Sequence, residues 1–180
     1  MKKECKCEWA RRTSSGVGEW HCLECGGYYT PPKPVTVMTF MVGDLLHVGH
    51  LRLLERAKKL GDRLIVGVAS DYAVEIQPKK KLKPVINEDQ RREMVAALKC
   101  VDEALLYPSN EFMDDLIKAL KPDIVCRGDD WLDFPGKEAA ESIGAKIIYL
   151  PRTEGVSSTE IKRSCYDEWR KNAQGIEKDS

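Results

Sequence analysis

With 180 residues, 42% of them apolar and 32% charged, the chain has the balance of a globular protein with room for one ordinary domain and one small appendage. Its 29 basic and 29 acidic residues cancel, which removes the global field expected of a nucleic-acid or membrane-surface binder. No apolar stretch approaches the roughly 18 residues of a spanning helix. Met1-Lys2-Lys3-Glu4-Cys5 has no apolar run behind it either, so neither a membrane segment nor a signal peptide is expected, and a cytoplasmic location follows.

Four of the seven cysteines crowd into the first 25 residues. Disulfides are disfavoured in a reducing compartment. Cys5, Cys7, Cys22 and Cys25 follow the pattern C-x-C-x14-C-x2-C, two close pairs separated by a short loop, which suits a tetrahedral zinc site. Gly26 and Gly27 after the second pair permit a tight turn, and His21 can replace one sulfur. So short a segment lacks a core without a metal. Residues 1–30 are therefore read as a zinc-ribbon-like module with structural Zn²⁺, around which Trp9, Trp20, Tyr28 and Tyr29 pack. Its weak electrostatic footprint makes nucleic acid a minor prospect as a partner. Residues 31–34 form a stiff Pro-rich linker. Cys100, Cys126 and Cys165 read as small buried hydrophobes.

From Val35 the texture changes to alternating strand and helix signals. Val35 to Phe40 is apolar and β-branched, a strand. Gly49 to Leu60 is a helix, with Leu53, Leu54, Ala57 and Leu60 at three- and four-residue spacing and Gly61 as a stop. Arg63 to Ala69 is a buried strand. Asn87 to Lys99 is a helix opened by an Asn cap. Val101 to Tyr107 is a strand, Asn110 to Leu120 a helix ended by Lys121-Pro122, and Asp123 to Cys126 a short strand. Gly136 to Ile143 is a helix, Lys146 to Leu150 the last strand, and Ser157 to Arg170 the closing helix. The domain thus spans residues 35–171, with 172–180 a polar tail. Alternation of this kind predicts an α/β fold: a Rossmann-like, doubly wound, five-stranded parallel sheet, with ligands beyond the carboxyl ends of its strands.

Three polar motifs follow strands. Asp44-Leu45-Leu46-His47-Val48-Gly49-His50 places two of the three histidines at a helix start, where free N–H groups and partial positive charge meet phosphate, and Gly49 lets the phosphate approach the backbone. Arg127-Gly128-Asp129-Asp130-Trp131 follows the fourth strand; Gly-Asp alone also suits a plain turn. Arg152-Thr153-Glu154-Gly155-Val156-Ser157-Ser158-Thr159-Glu160 follows the last strand. There Ser157 and Glu160 form a capping box, and Arg152 with the hydroxyls offers a second phosphate site. The run Lys79-Lys80-Lys81 with Lys83 is either a solvated face or a neutraliser of substrate phosphate.

The segment from Asp44 through Asp71 resembles the HxGH region of cytidylyltransferase-like nucleotidyltransferases. The GDDW and YLPRTEGVSSTEIK segments resemble the glycerol-3-phosphate cytidylyltransferase branch. The resemblance covers about Val35 to Ser164. It implies an HxGH-type fold and transfer of CMP from CTP to a small phosphorylated acceptor, with release of pyrophosphate, Mg²⁺ on the nucleotide, and a homodimer. It implies His47, His50 and Arg152 as catalytic residues. It implies Phe40, Met41, Val42, Asp44, Gly49, Gly128, Asp129, Ser157, Ser158 and Thr159 as nucleotide-binding residues, and Lys80, Lys81 and Lys83 as acceptor-binding candidates. The family reads Gly-(Thr/Val)-Phe-Asp where this chain has Met41-Val42-Gly43-Asp44, so a Met side chain is expected to narrow the phosphate cradle. The alternatives are an adenylyltransferase acting on a sugar phosphate or FMN, and a zinc-ribbon binding protein whose transferase domain has lost catalysis.

The cysteine spacing gives a direct expectation. Protein purified without added metal should carry about one zinc per chain by elemental analysis. A zinc content near zero, with folding unchanged by a chelator, would remove the zinc site.

Overall fold

The computed structural model describes residues 12–14, 20–29, 33–76, 83–129 and 131–176. The chain divides into two compact units, Met1–Pro34 and Val35–Ser180. In the first, β1 (Arg12–Ser14), β2 (Trp20–Cys22) and β3 (Tyr28–Tyr29) form an antiparallel sheet in that order. The β2–β3 turn closes with Gly26 N–H donating to Cys22 O at 2.9 Å, and Gly26 takes φ +66°. Cys22 is buried and Cys25 exposed on this turn. Cys5 and Cys7 lie outside the described residues, and among the described residues no cluster of three or more metal-binding side chains occurs.

The second unit runs β4 (Thr36–Met41), α1 (Val48–Lys58), β5 (Arg63–Ala69), α2 (Asp71–Glu75), α3 (Glu88–Ala96), β6 (Glu103–Tyr107), α4 (Asn110–Leu120), β7 (Ile124–Gly128), α5 (Lys137–Ser142), β8 (Lys146–Leu150) and α6 (Ser158–Ile176). Its five strands are all parallel, in the order β6-β5-β4-β7-β8. This is the doubly wound α/β sheet expected from the alternation. The chain winds outward from β4 to β6, then returns to the other side of β4 for β7, so the switch point lies between β4 and β7.

Side-chain alternation along the strands builds a core on each face. Met38, Phe40, Ile65, Ala69 and Val125 pack with Met113 and Ile117 of α4 and Ala139 and Ala140 of α5. Val37, Met41, Leu64, Val66, Val68 and Cys126 pack with Leu54 and Ala57 of α1 and Val95 of α3. Each fully buried Val or Leu contributes roughly 1.5–3 kcal/mol. No described helix is long and apolar enough to cross a membrane.

Four details depart from the sequence reading. α2 was not foreseen; it is five residues long, too short for periodicity, and is started by Ser70, whose hydroxyl accepts from Ala73 N–H. β7 continues two residues past Cys126, because Arg127 and Gly128 stay in register with Tyr149 and Leu150 of β8. α6 continues past residue 171 to Ile176, with no proline to stop it. Cys165 is exposed on α6 and Cys100 is half-buried, so of the three cysteines read as core only Cys126 is fully buried.

One cation ties the carboxyl edge together. Arg91 of α3 is fully buried. Its guanidinium donates to Ile86 O at 2.9 Å, to Ala69 O at 2.7 Å and to Val42 O, and it pairs with Asp71 Oδ1 at 2.6 Å. It thereby joins the ends of β4 and β5 to the start of α2. Arg91→Met leaves those acceptors unpaired inside the protein. It should lower the unfolding free energy by about 3 kcal/mol or more in a denaturant titration; a change below about 1 kcal/mol would show that the cation is dispensable.

Candidate functional site

The turn from β4 into α1 is built by the histidines themselves. His47 is the N-cap of α1, and its Nδ1 accepts from Gly49 N–H at 3.1 Å. His50, one turn in, accepts from His47 N–H through its own Nδ1 at 3.4 Å. The rings lie side by side, centroids 3.9 Å apart and tilted by 30°. With Nδ1 used as acceptor, the neutral form of each imidazole carries its proton on Nε2, which makes that nitrogen a donor. α1 has no acidic residue in its first turn, whereas every other described helix has at least one. Its positive end is thus left for an external anion.

Gly49 has a packing reason beside the one its position suggested. A Cβ there would lie 2.9 Å from His47 Cε1 and 3.1 Å from Val156 Cγ1. The space above Gly49 is filled by the His47 ring and Val156, so the glycine seats the catalytic candidate.

Burial, and then the positive charge of Arg152, hold the His47 pKa below its ordinary 6.5. His47 is therefore neutral at physiological pH, a donor through Nε2–H.

Asp44 sits behind the histidines instead of on the cleft wall. It is buried, and its Oδ1 accepts from Val85 N–H at 3.0 Å and Ile86 N–H at 3.1 Å, while Oδ2 pairs with Lys162 Nζ at 2.7 Å. Burial raises its pKa, but the hydrogen bonds from Lys162, Ile86 and Val85, together with the ammonium charge, outweigh that and hold the carboxyl below its ordinary 3.8. Asp44 O also accepts from Ser158 Oγ at 2.8 Å. Asp44 thus braces three segments and is not among the residues that line the cleft.

The start of α6 is already capped. Ser157 Oγ accepts from Glu160 N–H at 3.1 Å and donates to Glu160 Oε2 at 2.8 Å. Glu160 therefore supplies the anion that a free helix start would seek, which makes α1, and not α6, the open anion seat.

A cleft of about 380 Å³ opens at the switch point. One part of its lining comes from the ends of β4, β6 and β7 and the loop beyond: Phe40, Met41, Val42, Tyr107, Arg127, Gly128 and Trp131. The other comes from α1 and the β8–α6 segment: His47, Gly49, His50, Leu53, Arg152, Thr153, Val156, Ser157, Ser158 and Thr159. Among the described residues no carboxylate lines it, and a divalent cation here would be held largely by substrate phosphates and water.

Most residues singled out from the sequence thus converge. Asp129 does not line the cleft; its Oδ1 accepts from Arg152 N–H at 3.1 Å and so orients the segment after β8. Lys83 is exposed and pairs with Glu75 of α2, away from the cleft lining. Lys80 and Lys81 lie outside the described residues. Met41 borders the cleft but is nine-tenths buried in the core on the α1–α3 face. A Cβ on Gly43 would lie 4.0 Å from Met41 Cγ and 3.5 Å from Val95 Cγ2, so the large residue at 41 and the absent side chain at 43 share one neighbourhood.

Besides the apolar Leu53 and Val156, four lining residues were given no role in the site from the sequence. Arg127 and Trp131 stand in a motif already noted, while Tyr107 ends a strand and carries no motif. Thr153 is the fourth: its Oγ1 is buried and finds no hydrogen-bond partner among the described residues. A buried hydroxyl left so costs about 1–3 kcal/mol, which a ligand oxygen would relieve.

An anion seat at a helix start, beside an aromatic-walled cleft at the switch point of a parallel sheet, defines a nucleotide-binding α/β protein. The comparisons with known proteins narrow the class. The profile described as Cytidylyltransferase-like matches residues 42–164, and the chain belongs to that family. It is similar to glycerol-3-phosphate cytidylyltransferase of Bacillus subtilis, 37% identical over 126 residues, covering 70% of this chain and 93% of that protein. It is also similar to bifunctional protein HldE of Trichlorobacter lovleyi, 40% identical over 120 residues, 66% of this chain but 24% of that one. The chain thus spans about a quarter of the length of the bifunctional relatives it matches. Among solved structures, the lipopolysaccharide core biosynthesis protein from Thermoplasma volcanium superposes with a TM-score of 0.56 at 31% identity, covering 67% of this chain and 98% of that one. Pantothenate synthetase from Thermus thermophilus shares the fold alone, with a TM-score of 0.54 at 14% identity over 73% of this chain and 62% of that one.

Two outcomes follow. Gly49→Ala should push the His47 ring aside and cut turnover at least tenfold with the fold retained, because a misplacement of about 1 Å at a positioned group costs that much; unchanged kcat would show that the ring yields without loss. In a proton NMR titration, His47 should show a midpoint below 6.5, and Arg152→Gln should move it upward but not fully to 6.5, since burial remains. A midpoint that ignores the Arg152 substitution would remove the electrostatic coupling.

Proposed function

We propose that this protein transfers CMP from CTP to a small phosphorylated acceptor, with glycerol 3-phosphate as the substrate to test first. The observation that carries the reading is the convergence of His47, His50 and Arg152 on one cleft at the sheet's switch point. The similarity to the B. subtilis glycerol-3-phosphate cytidylyltransferase supports the substrates, since nearly the whole of that protein is matched.

An oxygen of the acceptor phosphate attacks the α-phosphorus of the nucleotide in line. A new P–O bond forms there as the bond to the β-phosphate oxygen breaks, and pyrophosphate leaves with the electron pair. No covalent enzyme intermediate is required. The Nε2–H groups of His47 and His50 and the start of α1 take the triphosphate, and Arg152 and Thr153 join them from the segment between β8 and α6. Donors fixed before the reaction stabilise the charge that builds on the phosphate oxygens. Mg²⁺, when bound with the nucleotide, neutralises part of the phosphate charge.

A second reading, adenylyl transfer to a sugar phosphate or FMN, is favoured by the similarity to the bifunctional protein at 40% identity and to a structure titled as a lipopolysaccharide core biosynthesis protein. Pyrophosphate release from CTP and from ATP at equal concentration, with and without glycerol 3-phosphate, separates the two. The expected outcome is magnesium-dependent CDP-glycerol from CTP. His47→Ala and His50→Ala should each keep the fold and cut kcat about a hundredfold or more. Release with ATP and a sugar phosphate would move the assignment to the adenylyltransferase. Nucleotide binding without release from any pair would leave a binding protein.

A further inference from the structure

Tyr107 closes β6, the strand at one edge of the sheet, two places from β4, while the segment carrying Arg152 and Thr153 follows β8 at the other edge. Its ring still reaches the cleft, because the strand between leaves room. A Cβ on Gly67 of β5 would lie 2.7 Å from Phe40 Cε1, so the Phe40 ring lies across β5 and meets the Tyr107 ring edge to face, with centroids 5.6 Å apart and planes at 89°. Tyr107 is 4% exposed and lines the cleft. Its hydroxyl makes no hydrogen bond among the described residues, and it is not one of the buried polar atoms shut off from solvent. Burial raises its pKa above the ordinary 10, against the pull of Arg127 and Arg91, so the group is a neutral phenol that can donate and accept.

In-line transfer divides the cleft between two ligands. The leaving pyrophosphate stays with the triphosphate seat at α1, so the acceptor oxygen enters from the opposite side of the α-phosphorus. On one side of β4 the cleft is lined from β7 and β8, where Gly128 and Trp131 offer a flat surface to a base. On the other side the described lining is Tyr107 of β6, with Phe40, Met41 and Val42 between. Within that group the Tyr107 hydroxyl is the one polar side-chain atom. A phosphomonoester that enters here lays its carbon skeleton on an apolar floor holding a single phenol, which rewards a substrate hydroxyl and gains nothing from an alkyl chain. We propose that Tyr107 reads the acceptor: its hydroxyl hydrogen-bonds a hydroxyl on the carbon skeleton of a phosphomonoester and so selects polyhydroxylated acceptors over alkyl phosphates. The inference rests on the nucleotidyl-transfer reading and adds to it the group that chooses the acceptor.

The test compares kcat/KM for glycerol 3-phosphate and for propyl phosphate, the same skeleton without its hydroxyls, in the unmodified protein and in Tyr107→Phe. Tyr107→Phe keeps the ring and its packing on Phe40, so the fold is retained, and thermal melts check it. Calorimetry gives the dissociation constant of the nucleotide for both proteins. The unmodified protein should prefer glycerol 3-phosphate. Tyr107→Phe should shrink that preference by about tenfold, the worth of one hydrogen bond to a neutral group, by slowing glycerol 3-phosphate and leaving propyl phosphate unchanged. Nucleotide affinity should stay the same within about twofold, because the hydroxyl faces the other ligand. A structural role would slow both acceptors alike, so an unchanged ratio overturns the inference while leaving the nucleotidyl-transfer reading intact. A fall in nucleotide affinity with the acceptor ratio kept would assign the hydroxyl to the nucleotide and overturns it too. Transfer from ATP to a sugar phosphate would change the parent reading's substrates, and the same ratio, taken with that sugar phosphate against propyl phosphate, then decides on Tyr107. If neither CTP nor ATP is transferred to any phosphomonoester, the parent reading fails on that measurement alone and the assignment of Tyr107 falls with it.

Discussion

Asp44 is a buried carboxylate that answers to three stretches of chain far apart in sequence. Its oxygens take the backbone N–H groups of Val85 and Ile86 and the ammonium of Lys162, and its own carbonyl takes the hydroxyl of Ser158. Burying one such charge alone would cost several kcal/mol; here the partners make the charged form the stable one. Its pKa is depressed, so the stabilisation is complete at neutral pH and fades only as the pH falls through a value below 3.8. The turn carrying His47, the segment entering α3 and the first turn of α6 are therefore held by a single group.

The polarity of the parallel sheet does the rest. All five strands deliver their carboxyl ends to one edge, so the loops that follow β4, β7 and β8 meet across a single cleft. Cations, imidazoles and hydroxyls gather in its lining, with no carboxylate among the described residues there. Negative charge nearby, such as Asp44, Asp129 and Glu160, is spent on braces and caps set back from the opening.

Much of this was legible before any coordinates. The five strands, the parallel sheet and the convergence of the histidine turn with the Arg152 segment follow from hydrophobic periodicity and from motifs that sit after strands. What the sequence hid depends on pairings between distant residues. Asp44 stands next to the histidine motif and looks like part of the nucleotide contact; only the fold shows that Lys162, more than a hundred residues on, claims it. Gly49 looks like a phosphate glycine, and only the packing of His47 and Val156 adds its second cause. Arg127 reads as lying just past its strand because the apolar run ends at Cys126, yet pairing with β8 keeps it in the sheet. The zinc ribbon rests on Cys5 and Cys7, which lie outside the described residues.

The alternation of β7 has a chemical consequence of its own. Cys126 and Arg127 are neighbours in the chain, but one faces the α1–α3 core and the other the cleft. Burial pushes the Cys126 thiol up to about 12, so it remains protonated, and a protonated thiol is neither a nucleophile nor a ready target for peroxide. The strand that carries a guanidinium into the cleft thus keeps its sulfur on the dry side. An oxidant or an alkylating reagent that reaches the cleft meets no reactive group on β7, and the strand is insulated from redox changes in its surroundings.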